Sequence, residues 1–564
     1  MLPHLRSRLG VVATVVIALV ALALALSACG SSTSTTGGAS TPAAGPTGTP
    51  QKGGTLVITY QGEPQTLDPA IDFEGNGWAM EHAIFGNLLN YSTGPGKQGT
   101  QIIADMATEV PSTSNGGITN GGKTYLFHIK PGIKFAPPVD REVTAQDFVY
   151  SFERMMSEPK APAKGYYDGI VGLQAYLDGK AKHIAGYKTV DGHTLEVDLE
   201  KPIASFLSIM EMPFSAPVAR EWVAKWGSQI GRHPLGTGPY MLQKWTPSQE
   251  LVMVRNPNYV GTDGYLDSLD FQFSITPTTA VLKVKSGDAD VLGDYIPPSD
   301  YVQLKVDPAW KSQVVAEPAI ALDYLFENVT VKPFDNLQVR QAVAYAVNRD
   351  KLVKLLSGTA AGLNQIYPAG MPGHVEGTAG DFYSYDPAKA KQLLAAAGFP
   401  NGFSTTLYSH NVDPWPKVIQ AIQYDLQQVG IKAGVKVLDR PAYWTLIGKK
   451  GKVGLGLNDW WMDYPDPFDY TVSLFSKSSA IDEGTNPSFW WSPETETMMK
   501  QGQTMTDPAA RLTFFQQIQQ KIMDQAPAVP LYQPLVTTLH SKRSQGIYMH
   551  PVWIFDYRHY WISQ

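Results

Sequence analysis

Three carboxylates spaced by three, Asp463, Asp466 and Asp469 in the run DYPDPFDY, form the first group whose spacing could do chemistry. Such spacing can ligate a hard cation. A calcium loop, however, needs a glycine at its turn and a distal glutamate, and this run has neither. Interleaved Pro465 and Pro467 suit an ordered loop in which aspartates cap turns. The 11 histidines are scattered, with no pair at ligand spacing. There is no HExxH and no GxSxG string, so neither a zinc-protease helix nor a nucleophile elbow is written into the chain. A GxGxxG string occurs at Gly94, Gly96 and Gly99. It follows an apolar, helix-like segment, Trp78 to Leu89, whereas a dinucleotide fingerprint follows a strand, and Pro95 interrupts it. A surface loop is the expectation there. Cys29 is the one cysteine of 564 residues, which excludes intrachain disulfides and cysteine-metal clusters. No catalytic constellation, metal or cofactor is expected.

The elements that must position these residues read as an α/β chain. Strand-like runs are TLVITY (55–60), TYLFHI (124–129), TLEVDL (194–199), LDFQF (269–273) and AGVKVL (433–438), β-branched or aromatic and partly alternating. Helices alternate with them. Thr144 and Asp147 have capping-box spacing, and Phe148, Phe152 and Met155 follow as an apolar stripe. Asp386-Pro387 opens a helix that Gly398 closes, and Asp507-Pro508 opens another with Leu512, Phe515, Ile518 and Ile522 on one face. Val339, Ala342, Val343, Ala346 and Val347 make a further core-facing stripe; Arg340, Arg349 and Asp350 beside it read as surface or salt-bridge residues. Gly236 and Gly238 bracket Thr237 in what reads as a tight turn into a strand.

The N-terminal segment reads as a targeting sequence. Arg6 and Arg8 precede an apolar run from Val11 to Leu26, and small residues lead to Cys29. Residues 30–52 are rich in Ser, Thr, Gly and Pro, too polar to order themselves, and span about 25 to 30 Å as a flexible tether. The formal net charge of −6 offers no basic surplus for nucleic acid.

Six stretches, in order, resemble a known family. They are GEPQTLDPA (62–70), TYLFHIKPGIKF (124–135), VTAQDFVYSFERM (143–155), PLGTGPYMLQKW (234–245) with VRNPNY (254–259), ENVTVKPFDNLQVRQAVAYAVNRDKL (327–352) and YDPAKAKQLLAAAGFPNG (385–402). Together they are similar to family 5 of the bacterial extracellular solute-binding proteins, the group that contains oligopeptide- and dipeptide-binding proteins of ABC importers. The tetrapeptide Leu26–Cys29 resembles a lipoprotein lipobox, in which the cysteine is lipidated.

The resemblance implies an α/β, two-lobed periplasmic-binding-protein-like fold (type II, cluster C) with an extra domain on lobe I. It implies a signal peptide at 1–28 and a lipidated Cys29 with its tether at 29–52. Domain I is expected at 53–95, 232–320 and 531–564, domain II at 96–231 and domain III at 321–530. Ligand is expected in the interlobe cleft, closed by a hinge. The stretch NDWWMDYPDP (458–467) is similar to the one in which an aspartate, here Asp463, pairs with a peptide α-ammonium. Trp460 matches a pocket-lining aromatic, and Trp461 stands where some relatives carry a half-cystine. Trp444, Trp490 and Trp491 are further aromatic candidates. The expected partners are a short peptide, the ABC permease with its ATPase, and the membrane through the lipid anchor alone. The chain is expected to act outside the cytoplasm as a monomer, without nucleic acid and without catalysis. The same family also implies oligosaccharide or metal-chelate ligands as the alternative; an extracytoplasmic hydrolase is the remote one.

Overall fold

The computed structural model describes residues 49–563. The expected signal peptide, Cys29 and nearly all of the tether lie outside the described residues. Three sheets of four or more strands carry the fold. The first has five strands in the order Val291–Leu292, Thr55–Thr59, Ser268–Gln272, Glu250–Arg255 and Tyr240–Thr246. Its first three strands run parallel, and both Leu56 and Ile58 are fully buried in its core. The second has four strands, Ile118–Thr119, Thr124–His128, Thr194–Asp198 and Tyr187–Asp191, all antiparallel. Helix Ala145–Ser157 covers it. The expected box between Thr144 and Asp147 forms, and Phe148, Phe152 and Met155 are buried as their spacing requires.

The third sheet has seven strands. Its main path is Val314–Pro318, Ala528–Leu539, Ala321–Glu327, Leu455–Trp461, Ser404–His410 and Lys432–Leu438, and Ala360–Gly362 pairs with Ala528–Leu539 off that path. Strand Ala528–Leu539 is the longest shared element. Its first half pairs with Ala321–Glu327, its second half with Val314–Pro318. At its end Thr538 donates to the carbonyl of Leu292, and the Ser541 N–H donates to that of Asp290, both beside the first sheet. The expected boundary at 530 and 531 therefore falls inside a continuous strand. The α/β class expected from the alternating elements is the class observed.

Three expectations are corrected by packing. Arg340 and Arg349 are buried, not on the surface. Arg340 donates to the carbonyls of Gln525 and Phe334, tying its helix to the end of helix Pro508–Asp524, and Arg349 donates to those of Pro530 and Tyr383, tying its helix to strand Ala528–Leu539. The glycines of the GxGxxG string do follow a strand, Leu89–Tyr91. A single 3-10 turn, Gly96–Thr100, then leads to the paired strand Ile102–Ala104, so the string closes a hairpin and opens no helix. Gly99 in it is buried, and a Cβ there would sit 2.4 Å from the carbonyl of Gly94. Gly236 is needed for close approach and not for turn dihedrals: a Cβ would meet the carbonyl of Ile84 at 2.3 Å.

Helix Pro508–Asp524 fixes the loop that leads out of strand Leu455–Trp461. Arg511 grips Asp466 through two hydrogen bonds of 2.6 and 2.8 Å, both side chains nearly buried, and its Nε donates to the carbonyl of Gly502. Removing one member of a buried ion pair strands the other charge. Arg511→Met is expected to cost about 3–5 kcal/mol in chemical denaturation, and adding Asp466→Leu should recover most of it. A single variant as stable as the parent would show that the pair does not hold the loop.

Candidate functional site

Strand Leu455–Trp461 pairs along its whole length with Ala321–Glu327, antiparallel, from Leu455 opposite Glu327 to Trp461 opposite Ala321. On its other flank it meets Ser404–His410 only at Leu455 and Gly456. That register brings His410, where the neighbour ends, level with Asn458. Asp459, Trp460 and Trp461 therefore overhang. The N–H of Met462 donates to the carbonyl of Ile320, which sets the alternation: even-numbered residues bond the paired strand, and odd-numbered ones turn their N–H and C=O to the other flank. The Tyr443 hydroxyl donates to the Leu457 carbonyl from that flank, as the alternation requires. The backbone of Asp459 and of Trp461 thus faces the space beyond His410. Strands Ser404–His410, Lys432–Leu438 and Leu455–Trp461 run parallel, so this is also their common carboxyl edge, where ligands collect in α/β sheets.

Asp463 stands two residues past the overhang and is half-buried. Its Oδ2 accepts a 2.6 Å hydrogen bond from the Tyr166 hydroxyl, a residue 297 positions away. Asp466 caps the next helix, Pro467–Phe475, accepting from the Phe468 N–H. This places Asp469 in the first turn beneath the loop. The Asp469 carboxyl accepts from the Asp463 N–H and from the Trp460 indole, each at 3.1 Å. Burial raises the Asp463 carboxyl to about 6, and hydrogen bonds from Tyr166 and Asp469 pull the other way. Asp469 is pushed well above the carboxylate range, by burial first and then by the Asp463 charge, so it is the neutral acid of the two. Tyr166 is held protonated by burial and by the same charge. Asp463 therefore carries one negative charge whose hydrogen-bond partners are a phenol and a neutral acid, not a cation.

The neighbouring loop residue closes the site from the other side. Tyr464 is buried among the core side chains of the four-stranded sheet and stands edge-on to Tyr166, ring centres 6.1 Å apart. The sheet of Leu455–Trp461 and the body that carries Tyr166 thus meet at this loop. Trp460 is half-buried, whereas Trp461 is 45% exposed and donates to Asp459 across 3.3 Å. Trp444 packs with Trp415, His410 and Tyr443 beyond the end of strand Ser404–His410. Trp490 is a core residue edge-on to Phe475, and Trp491 lies under the Lys477 ammonium. On the first sheet a hollow of about 420 Å³ opens at the carboxyl ends of Thr55–Thr59 and Val291–Leu292, lined by Tyr60, Gly62, Gly293 and Asp294 among others. Phe73 is 47% exposed and stacks on Phe214.

The structure brings Asp463, Trp460 and Trp461 to one loop and one strand end. Sequence reasoning missed Tyr166 and the role of the overhang. No local signal marks Tyr166. The overhang was legible only with the register in hand.

A carboxyl whose folded pKa is raised binds its proton more tightly folded than unfolded. Its contribution to stability falls as pH rises from about 4 to about 6, then stays flat. Asp463→Asn keeps an acceptor for the Tyr166 hydroxyl but removes the charge. The ligand-free variant is expected to melt higher than the parent at pH 7.5, with the gap closing by about pH 4. Equal melting curves at both pH values would show that Asp463 carries no buried charge.

Residues 101–482 match the middle segment of the bacterial extracellular solute-binding proteins, family 5. The dipeptide-binding protein of Escherichia coli (strain K12) is 29% identical over 520 residues, 88% of this chain and 92% of that one. The glutathione-binding protein GsiB of Escherichia coli O6:K15:H31 (strain 536 / UPEC) is 30% identical over 445 residues, 77% of this chain and 82% of its own length. Among solved structures, the periplasmic binding protein DppA from Helicobacter pylori in complex with peptide STSA superposes with a TM-score of 0.72 at 25% identity, covering 91% of this chain and 99% of that chain. The fold is the two-lobed periplasmic-binding-protein type, and the chain belongs to family 5 of the bacterial extracellular solute-binding proteins.

Proposed function

We propose that this chain is the substrate-capturing lipoprotein of an ABC importer and that its ligands are short peptides. The observation that carries the reading is Asp463: a desolvated carboxylate without a cation, at the end of a strand whose outer flank is open. A peptide supplies both missing partners. Its α-ammonium neutralises Asp463, which otherwise bears an unpaired charge worth several kcal/mol. Its main chain adds as a strand to Asp459 and Trp461, a mode indifferent to side-chain identity. Trp460 and Trp461 then wall the side-chain pockets. The names of the relatives, dipeptide- and glutathione-binding, support a ligand with a free amine.

In this reading residues 53–95, 232–320 and 531–564 build lobe I, 96–231 the additional domain, and 321–530 the second lobe. The lobes hinge where Val314–Pro318 and Ala528–Leu539 run side by side, and Tyr166 meets Asp463 as they close. Cys29 anchors the chain outside the cytoplasmic membrane, and the loaded monomer docks on the permease.

Gently purified protein is expected to carry a mixed set of di- to tetrapeptides in native mass spectrometry. Stripped protein should regain at least about 2.7 kcal/mol from a peptide at about one hundred times its Kd. Asp463→Asn should weaken that binding at least tenfold, read by calorimetry. Parent affinity should fall about tenfold per pH unit below about pH 6, because only the carboxylate form pairs with the ammonium. A melt that moves with sugars and with no peptide would overturn the peptide reading.

A further inference from the structure

The overhang carries a charge that main-chain capture does not use. Asp459 lies on it, opposite Asp323 of the paired strand. Asp323 is buried and accepts from the Trp415 indole at 2.8 Å, so it sits behind Asp459 within the sheet. Asp459 itself is only half-buried. Its carboxylate folds toward its own N–H, which the strand alternation turns to the open flank, and it accepts from the exposed Trp461 indole. Burial raises its carboxyl, and Arg440 opposes that through charge at a distance, without a hydrogen bond, as does the bond from the Trp461 indole. An anionic side chain at the flank of a strand-addition site is a specificity element by position, because directly opposed residues of paired strands share a face.

The register of an incoming strand follows from the same alternation. An ammonium held at Asp463 starts the ligand beside Trp461, and the ligand then runs back antiparallel along the overhang. Residues advance about 3.4 Å each, so the main chain of the first bonds Trp461 and that of the third bonds Asp459. The second residue lies opposite Trp460, on the other face. We propose that Asp459 is a specificity-determining residue that favours peptides with a cationic side chain at the third position. The inference rests on the peptide reading above.

Two tetrapeptides test it, Ala-Ala-Lys-Ala and its uncharged isostere Ala-Ala-Nle-Ala, titrated by calorimetry into stripped protein. The parent is expected to bind the lysine peptide at least about fivefold more tightly, as a half-buried ion pair gives. Asp459→Asn should erase the difference, read as the ratio of the two affinities measured on the same variant. Moving lysine to the second position should erase it in the parent as well. Equal affinity of the parent for both peptides, a preference that survives in Asp459→Asn, or one that survives the move to position two would overturn the assignment. Binding of the norleucine peptide without a lysine preference leaves the peptide reading standing and removes this one. Failure of both tetrapeptides to bind removes both.

Discussion

A carboxylate held out of water with no cation beside it governs the architecture around residue 463. Water would solvate such a charge; this site replaces water with a phenol from another body of the protein and a neutral acid from the helix below. Neither neutralises the charge, so the site keeps an appetite for a cation. Keeping Asp463 in place against that desolvation needs a rigid loop. Asp466 supplies it twice over, as helix cap to Phe468 and as the bidentate partner of Arg511. The aspartates of DYPDPFDY thus divide the work. One bears the charge, one anchors, and one stays neutral so that the first can remain charged.

The larger frame is built around strands that serve two bodies. Ala528–Leu539 pairs with one strand of the third sheet and then with another, and its end reaches the first sheet through Thr538. A continuous strand transmits position between bodies but bends at few points. Near the switch of partners, the Gln533 amide donates to the carbonyls of both Ala319 and Ala369, and the Ala319 N–H donates to Pro534. The buried guanidiniums of Arg340 and Arg349 do similar work around the third sheet, satisfying the carbonyls of Gln525, at the end of helix Pro508–Asp524, and of Pro530, in strand Ala528–Leu539. Side chains that look solvent-bound in a sequence are here internal cross-braces.

Much of this was legible in the sequence because it is local. Capping boxes, first-turn prolines and apolar stripes depend on residues three or four apart, and Thr144–Asp147 and Asp507-Pro508 behaved accordingly. The misreadings share one cause, which is distance along the chain. Arg340 reads as a surface or salt-bridge residue because its acceptor, the Gln525 carbonyl, is 185 residues away. Gly236 looked like a turn residue because the carbonyl it must admit belongs to Ile84. The GxGxxG string reads as following a helix because the three-residue strand that intervenes is too short to show a period. Tyr166 left no trace at all, since a tyrosine in a Gly- and Pro-rich stretch carries no pattern.

Specificity in such a site must come from what strand addition cannot supply. In the proposed mode, main-chain bonds to Asp459 and Trp461 are the same for any peptide, and the Asp463 charge is the same for any free amine. Discrimination is left to side chains that flank the added strand, and their faces alternate. Trp460 lies on one face, half-buried against the core, where contact is apolar and adaptable. Asp459 and Trp461 lie on the other, where an indole and a carboxylate share a hydrogen bond in partial contact with solvent. The neutral face tolerates variety because apolar burial is non-directional and scales with area, whereas a carboxylate distinguishes sign. In the proposed mode a single strand end combines an indiscriminate grip with one position at which charge is read, and the alternation of the strand decides which position that is.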